Sequence, residues 1–169
     1  MAFWDQAKSV NPPTIEDVYL SPGHLIRRSH QISVSIFADE LGRYELTPVQ
    51  YASMLAIRDR PGIDQRQLGR VIAIDRSTVG TVLRTLEDKE LVTRAVPEHN
   101  KRVKAVTITA KGETLLAETT DAIAQVQRRL LEPLNVKERE IFLTLLSRLV
   151  KVNNAHSRAP LKLGSDEPR

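Results

Sequence analysis

The chain has 169 residues, a net charge of +4 at pH 7 and no cysteine. This length suffices for one substantial core, or for one domain with a dimerisation module. Without cysteine, a disulfide framework, a cysteine-ligated zinc finger and thiol-based redox sensing are excluded. Residues 61–112 carry ten Lys or Arg against six Asp or Glu, and the rest of the chain is balanced, so the positive excess lies in this segment. This distribution indicates a surface that meets phosphate.

The remaining composition favours a helix-rich protein outside membranes. Aromatic residues form only 4% of the chain, and the apolar residues are mostly Leu, Val, Ile and Ala. No apolar run approaches the length of a membrane-spanning helix, and the first 13 residues lack the apolar core of a signal peptide. We therefore expect a cytoplasmic protein with no membrane partner.

Residues 1–46 are predicted to form an N-terminal arm and a dimerisation helix. The arm carries Phe3, Trp4 and Tyr19 around a Pro pair that prevents one continuous helix. Aromatic rings are seldom left free in water, so we expect the arm to pack, with the partner subunit as one candidate surface. Helical periodicity then runs from about Pro22 to Gly42.

The helix predicted over 22–42 has a broad apolar arc that also contains polar side chains. In projection His30 falls between two apolar members of the arc, and Arg27 stands at its edge. Polar groups on a buried face need hydrogen-bond partners. Two interpretations of His30 stay open, a hydrogen-bonded core histidine and a contact to a ligand. The apolar members of the arc are Leu25, Ile26, Ile32, Ile36, Phe37 and Leu41.

Residues 47–109 are predicted to form the functional domain, because capping signals mark three helix starts. Residues 47–50 read Thr-Pro-Val-Gln, a capping box with Pro at the first helical position. Asp64 with Gln67 makes a second capping box, and Asp75 caps the next helix, which runs from Arg76 to about residue 89. The two helices after Asp64 are joined by a tight turn.

The helix from Arg76 has two contrasting faces. Its apolar residues Val79, Val82, Leu83 and Leu86 lie within roughly 100° of one another and predict a buried face. The opposite side carries short polar groups and a long cation, Ser77, Thr81, Arg84 and Asp88, flanked by Thr78, Gly80 and Thr85. Such a surface fits a DNA major groove, where Arg can donate two hydrogen bonds to O6 and N7 of guanine. The alternative is a solvated helix face.

Two β-branched runs follow, over 91–97 and 103–109, and they bracket the polar loop EHNKR. A hairpin with a basic tip is a wing. Lys101 and Arg102 are expected to lie against phosphates or to reach the minor groove, with Arg94 and Lys104 supporting from the strands.

Residues 110–153 are predicted to form two C-terminal dimerisation helices. The first runs from about 110 to 131, and the second is capped by Asn135 with Glu138 at the box position. Their wide apolar stripes exceed what one winged domain can cover, so we expect them to pair with a second copy. Residues 154–169 have no periodicity and are predicted to form a flexible tail.

From Ser21 to Val152 the chain resembles the MarR family of bacterial transcription regulators. The resemblance rests on three stretches together, LTPVQYASMLAI, DRSTVGTVLRTLEDKELVTR and NKRVKAVTITAKG. It implies a mainly α fold with a small β-wing, that is, a winged helix-turn-helix domain whose N- and C-terminal helices interlock in a homodimer.

The wing departs from the family pattern at one position. The family wing usually reads Asp-x-Arg, in which the Arg enters the minor groove and the Asp braces it. Here residues 100–102 read Asn-Lys-Arg. Arg102 therefore matches the family residue, while the bracing interaction lacks its Asp.

The expected function is that of a homodimeric DNA-binding transcription regulator, of repressor type, on a pseudo-palindromic operator. No cofactor and no metal is expected. The residues predicted to contact DNA are Gln65, Arg66, Arg76, Ser77, Thr78, Thr81, Arg84, Lys101 and Arg102.

Two other classes of protein, an enzyme and a protein-interaction module, fit the sequence less well. An enzyme is disfavoured because the four histidines share no ligand spacing and the glycines do not cluster into a phosphate-binding loop. A dimeric protein-interaction module that has kept a winged helix without DNA binding is the alternative. The segregated positive charge argues against it.

The resemblance also implies a small-molecule signal, because the chain looks most similar to members that govern the catabolism of aromatic or nicotinic acids. Arg27 and His30 are i, i+3 neighbours that can present a cation and a ring nitrogen near Phe37. Tyr51 on the next helix can add a phenol contact. These four residues are the predicted site for an aromatic carboxylate, which needs an apolar slot and charged donors.

Overall fold

The computed structural model describes residues 14–96 and 104–163, and in this part of the chain it is mainly helical with one small sheet. The predicted fold class is confirmed. The helices are α1 (Ile15–Tyr19), α2 (Pro22–Leu41), α3 (Pro48–Asp59), α4 (Gln65–Val71), α5 (Arg76–Asp88), α6 (Ala110–Glu118), α7 (Thr120–Leu131) and α8 (Val136–Asn153). The strands are β1 (Ile63–Asp64), β2 (Val92–Ala95) and β3 (Ala105–Ile108), and short 3-10 turns cover Gly42–Tyr44 and Asn154–His156.

The helix starts lie where the capping residues predict them. At the start of α3 the Thr47 side chain accepts from the Gln50 backbone N–H, and the Gln50 side chain accepts from the Thr47 N–H. The same reciprocal capping box forms at α4 and at α8, so all three predicted boxes are confirmed. Each box satisfies backbone donors that a helix leaves unpaired at its first turn.

The sheet contains a strand that the sequence pattern does not reveal. The wing strands β2 and β3 pair antiparallel as predicted, and β1 pairs with the outer edge of β3, with Ile63 opposite Val106. A two-residue strand is too short for any alternation of apolar and polar residues. Because β1 runs directly into α4, this pairing fixes the start of α4 relative to the wing.

The prediction of a single helix over 110–131 is wrong, because the structure has two helices there, separated at Thr119. The Thr119 side chain is fully buried, and its hydroxyl donates to the Leu116 carbonyl at 2.9 Å. A hydroxyl that bonds back to its own helix competes with the regular backbone ladder. The chain therefore ends α6 at this residue and begins α7.

Helix α2 is buried only towards its C-terminal end. Phe37 and Leu41 belong to the core, whereas Leu25, Ile26 and Ile32 are about half exposed, at 51%, 48% and 46%. The predicted apolar arc therefore contacts the chain's own core through its last two turns alone. The predicted buried face of α5 is confirmed in full, because all four of its apolar residues are buried.

The segment after α8 returns to the winged domain. The Lys162 backbone N–H donates to the Arg70 carbonyl of α4 at 2.9 Å. The Asn154 side chain donates to the Leu161 carbonyl at 3.0 Å and accepts from the Leu161 N–H at 2.8 Å. The tail was predicted to be flexible over residues 154–169. In the structure, its described part, residues 154–163, is instead held by these hydrogen bonds.

Gly112 allows α6 to pack directly on the base of the wing. A Cβ at this position would overlap the carbonyl oxygen of Leu91 and would lie 2.7 Å from Cγ1 of Ile108. The Leu91 carbonyl is part of the backbone and cannot move aside as a flexible side chain can, so only a glycine fits at position 112. This contact holds the two ends of the wing hairpin against α6.

We expect Gly112→Ala to lower the free energy of unfolding by about 1–3 kcal/mol, because the added methyl group overpacks a rigid contact. The measurement is urea denaturation followed by circular dichroism. Gly42→Ala is the matched control, because Gly42 has helical φ and ψ of −55° and −37° and open space around its Cβ position. The control should be neutral or stabilising by up to about 1 kcal/mol. Equal losses in the two variants would contradict the packing argument.

Candidate nucleic-acid interface

The turn between α4 and α5 sets the position of α5. Ala73 has a positive φ of 55°, and the Ile74 N–H donates to the Gly69 carbonyl at 3.0 Å. A Cβ at Gly69 would lie 3.0 Å from the Ile74 carbonyl oxygen and 3.2 Å from Cγ2 of Val79. The two helices therefore approach closely at Gly69. Gln65 adds a further tie, because its side-chain amide donates to the Arg76 carbonyl at 3.2 Å.

Asp75 caps α5 with an unusually complete set of hydrogen bonds. Its carboxylate accepts from the backbone N–H groups of Ser77 and Thr78 at 3.0 Å each, from the Thr78 hydroxyl at 2.6 Å and from the Ser77 hydroxyl. The hydroxyl of Ser77, followed by that of Thr78, holds the pKa of Asp75 far below its ordinary value. These hydrogen bonds therefore favour the ionised form of the cap.

The cap changes what two predicted DNA contacts can do. The hydroxyl protons of Ser77 and Thr78 already point to Asp75, so towards DNA these oxygens present lone pairs. The Thr81 hydroxyl donates to the Ser77 carbonyl at 3.3 Å. As donors to bases or phosphates, these three hydroxyls would first have to leave their partners in the chain.

The exposed side of α5 forms a shallow groove of about 650 Å³. Arg76, Ser77, Thr81 and Arg84 are all exposed on it, and Gln65 enters from α4. The structure thus brings together five of the predicted DNA contacts. The full lining is Gln65, Asp75, Arg76, Ser77, Gly80, Thr81 and Arg84.

Arg94, predicted to support the wing contacts from its strand, forms an ion pair within the chain. Its guanidinium donates to the Glu87 carboxylate at the end of α5, and both side chains are half-buried. This hydrogen bond lowers the pKa of Glu87 and raises that of Arg94. Arg94 therefore joins the end of α5 to β2. The signal in the sequence was ambiguous, because a strand cation can pair with either an acid or a phosphate.

A second, larger cleft of about 830 Å³ opens beside α4 and continues from the groove on α5. It contains the predicted contacts Gln65, Arg66 and Arg76. It also contains Lys104, predicted as a supporting cation, and three cations without a predicted role. These three are Arg70, Arg158 and Lys162.

The predicted wing tip, with Lys101 and Arg102, lies outside the described residues, as do Phe3 and Trp4 of the arm. Tyr19 of the arm is described, and it is 53% exposed with its ring 5.5 Å from that of His24 in an edge-to-face arrangement.

The four predicted ligand contacts form two pairs. Phe37 is buried and Tyr51 half-buried, with ring centroids 6.3 Å apart at 60°. His30 is exposed in the single chain, on the half of α2 that its own core does not cover. Arg27 is also exposed, and its guanidinium contacts Oε1 of Gln31 at 3.1 Å and Nδ1 of His24 at 3.3 Å. Phe37 lies about 10 Å along the axis from His30, since seven residues separate them.

Within residues 14–96 and 104–163, no group of three or more His, Asp or Glu side chains is arranged to hold a metal ion. None of the helices described there combines the length and apolarity needed to cross a bilayer. The features that stand out in this part of the chain are therefore the groove on α5 and the basic cleft beside it.

Comparison with known proteins finds similarity to bacterial transcriptional regulators. A family model described as the MarR family matches residues 46–104. Transcriptional regulator HosA of Escherichia coli is 32% identical over 127 residues, which cover 75% of this chain and 93% of HosA. The HTH-type transcriptional repressor NicR of Pseudomonas putida is 28% identical over 134 residues, which cover 79% of this chain and 85% of NicR.

A solved structure agrees with this relationship. Bordetella bronchiseptica BpsR, whose DNA binding is regulated by 6-hydroxynicotinic acid, superposes with a TM-score of 0.75 and 27% identity. The match covers 82% of this chain and 97% of BpsR. The matching family model runs from just before α3 to residue 104, directly before β3, and therefore includes all the residues that line the groove on α5. The chain belongs to the MarR family of winged helix-turn-helix transcriptional regulators.

Proposed function

We propose that this regulator is a homodimeric repressor that binds a pseudo-palindromic operator and is released from it by a small aromatic carboxylate. The observation that carries the DNA-binding part is the groove on α5, where Arg76 and Arg84 are exposed on a helix fixed at both ends. Asp75 fixes its start, and the Glu87–Arg94 pair fixes its end to the wing. A rigid helix with an exposed polar and cationic face suits insertion into a major groove.

The predicted contacts divide into two roles. Arg84 and Thr81 lie one turn apart on the exposed face, where Arg84 can bind guanine O6 and N7 together. Gln65, Arg66 and Arg76, at the N-terminal ends of α4 and α5, suit phosphate contacts, because helix N-termini favour anions. Lys101 and Arg102 stay predicted wing contacts.

The dimer part of the proposal rests on helix faces that the chain leaves uncovered. All residues of α8 from Glu140 onwards are exposed, including its apolar side chains. In solution such a stripe needs a partner. The exposed apolar half of α2 has the same need, so we assign both helices to the interface between two copies. The exposed apolar residues of α8 on one face are Ile141, Phe142, Leu145, Leu146 and Leu149.

A second copy also sets the geometry of DNA binding. Two recognition helices related by a dimer axis contact successive major grooves when their half-sites lie about 10 bp apart. Repression by steric occupation of a promoter is consistent with the similarity to NicR, which is named a repressor.

The ligand part rests on the two residue pairs of α2 and α3. The half-buried Tyr51, packed on the buried Phe37, offers an aromatic surface, and His30 and Arg27 offer a ring nitrogen and a cation farther towards the N-terminus of α2. Arg27 would have to leave His24 and Gln31 to reach the ligand carboxylate. Because Arg27 and His30 lie on the exposed part of α2, a second subunit would close the site. BpsR, which responds to 6-hydroxynicotinic acid, supports this ligand class.

A ligand at this place can alter the spacing of the recognition helices. Helix α2 contributes Phe37 and Leu41 to the core of the winged domain while its other end faces the dimer interface. A ligand shifts the equilibrium between two spacings only by its differential affinity for them, typically about 1–3 kcal/mol. We therefore expect partial release at low ligand concentration.

Leu145→Glu should convert the dimer to a monomer, because the charge is placed in the centre of the exposed α8 stripe, where Leu145 is 56% exposed. The measurement is molar mass by light scattering after gel filtration. Ser147→Glu adds the same charge on the opposite side of α8, about 200° away, and should stay dimeric. A Leu145→Glu protein of dimer mass would place the interface elsewhere.

Arg84→Ala should reduce affinity for the preferred operator by about 1–3 kcal/mol and flatten the preference at one base pair in each half-site. The experiment is selection of duplexes from a random library, followed by titration of wild type and variant. Arg102→Ala should weaken binding more evenly and lower the dependence of binding on salt, because one phosphate contact is lost.

The same titrations test the proposed function itself. Wild-type protein that binds no duplex at low salt would favour an interaction module without DNA binding. An Arg84→Ala variant that keeps both its affinity and its base preference would remove α5 as the recognition helix.

The ligand site is tested by calorimetric titration of benzoate, salicylate and 6-hydroxynicotinate into wild type and Arg27→Ala/His30→Ala. We expect the double variant to lose measurable binding of the effective acid, because both proposed carboxylate donors are gone. Arg28→Ala is the control, since it removes a cation from the adjacent position, where Arg28 donates to Gln31 at 2.9 Å. Undiminished binding and operator release in the double variant would place the pocket elsewhere.

A further inference from the structure

The C-terminal segment 154–163 is held beside the proposed DNA-binding surface. Asn154 forms two side-chain hydrogen bonds with the backbone of Leu161 and so closes a loop of the chain. The next residue, Lys162, donates its backbone N–H to the Arg70 carbonyl of α4 at 2.9 Å. Two independent contacts therefore fix where Arg158 and Lys162 lie.

These two cations complete a basic cleft. The cleft of about 830 Å³ is lined by six cations, Arg66, Arg70, Arg76, Lys104, Arg158 and Lys162. Its two acids are Asp64 and Asp75, which serve as the N-caps of α4 and α5. The cations are contributed by α4, α5, the start of the wing strand β3 and the C-terminal segment. A concave surface with this excess of positive charge attracts a polyanion.

The cleft is continuous with the groove on α5. Gln65, Asp75 and Arg76 line both. A duplex lying in the groove on α5 would therefore bring its sugar-phosphate backbone to the mouth of the cleft. Arg158 and Lys162 line the same cleft and are exposed, so a backbone at the cleft is accessible to both.

We propose that residues 158–162 are part of the DNA interface and that Arg158 and Lys162 contact backbone phosphates next to those bound by α4 and α5. This inference rests on the proposed function. Contacts to phosphate carry no sequence information directly, so the segment adds affinity and not base preference. The winged domain is thereby extended by a piece of chain that follows the dimerisation helices in sequence.

The test is the salt dependence of binding by full-length Arg158→Ala/Lys162→Ala on a duplex selected by the wild-type protein from a random library. Each phosphate contact contributes about 0.9 to the slope of log K against log salt concentration. Loss of two cations in each of two protomers should reduce the slope by about 2–4 and the affinity at about 0.1 M salt by at least roughly tenfold. The ratio of affinities for the selected and an unrelated duplex should stay as in the wild type.

Two further variants separate charge from position. Arg158→Lys/Lys162→Arg keeps both charges and should retain the wild-type slope. Asn154→Ala removes the contact to Leu161 without changing the charge, and it should lower the affinity because the cations are no longer held at the cleft. Circular dichroism spectra and melting curves establish that each variant is folded.

The outcomes distinguish this inference from the proposed function. A wild-type slope in the Ala double variant would overturn the inference while leaving DNA binding by α5 intact. Tighter binding by that variant would also overturn it, because the segment would then compete with DNA for the cleft. A wild-type protein that binds no duplex would overturn the proposed function and this inference together.

Discussion

The carboxylate of Asp75 is the constraint on which the interface depends. It binds the backbone donors at the start of α5 and the hydroxyls of Ser77 and Thr78. The first turn of α5 is therefore rigid before any ligand arrives, and entropy of ordering need not be lost on binding. The same hydrogen bonds decide the chemistry of that turn, because they leave acceptor lone pairs at Ser77 and Thr78. Donation to DNA is then left to the long cations Arg76 and Arg84, which both line the groove.

A second set of contacts connects this rigid helix to distant parts of the chain. Arg94 ties the end of α5 to the wing strand, and Arg129 of α7 donates to Glu40 at 2.7 Å and to Asp39 at 3.1 Å on α2. Between them lies a core that includes Phe37 and Leu41 of α2. Packed cores resist gradual deformation, so a displacement of α2 is transmitted to α5 as a rigid shift. Helix α2 is thus the element through which a dimer-interface ligand would act.

The sequence predicts those features that depend on neighbouring residues. Capping boxes and the buried face of α5 were predicted correctly, because each is decided within one or two turns of helix. The strand β1, the break at Thr119 and the path of residues 154–163 were not, because distant packing decides them. The ion pair of Arg94 was not predicted for the same reason, since its partner Glu87 lies on another element. The surroundings of His30 could not be predicted either, because it lies on the half of α2 that the chain's own core does not cover.

The net charge of +4 understates the field that a duplex would meet. The acids at the interface sit on short side chains that are held against backbone N–H groups, as Asp64 and Asp75 both show. The cations sit on longer side chains that are exposed, as at Arg66, Arg76 and Arg84. The cap carboxylates are occupied by hydrogen bonds within the chain, whereas these guanidinium groups are accessible to a phosphate. The excess of positive charge in residues 61–112 is thus carried by side chains that solvent can reach, and this placement favours the approach of a polyanion.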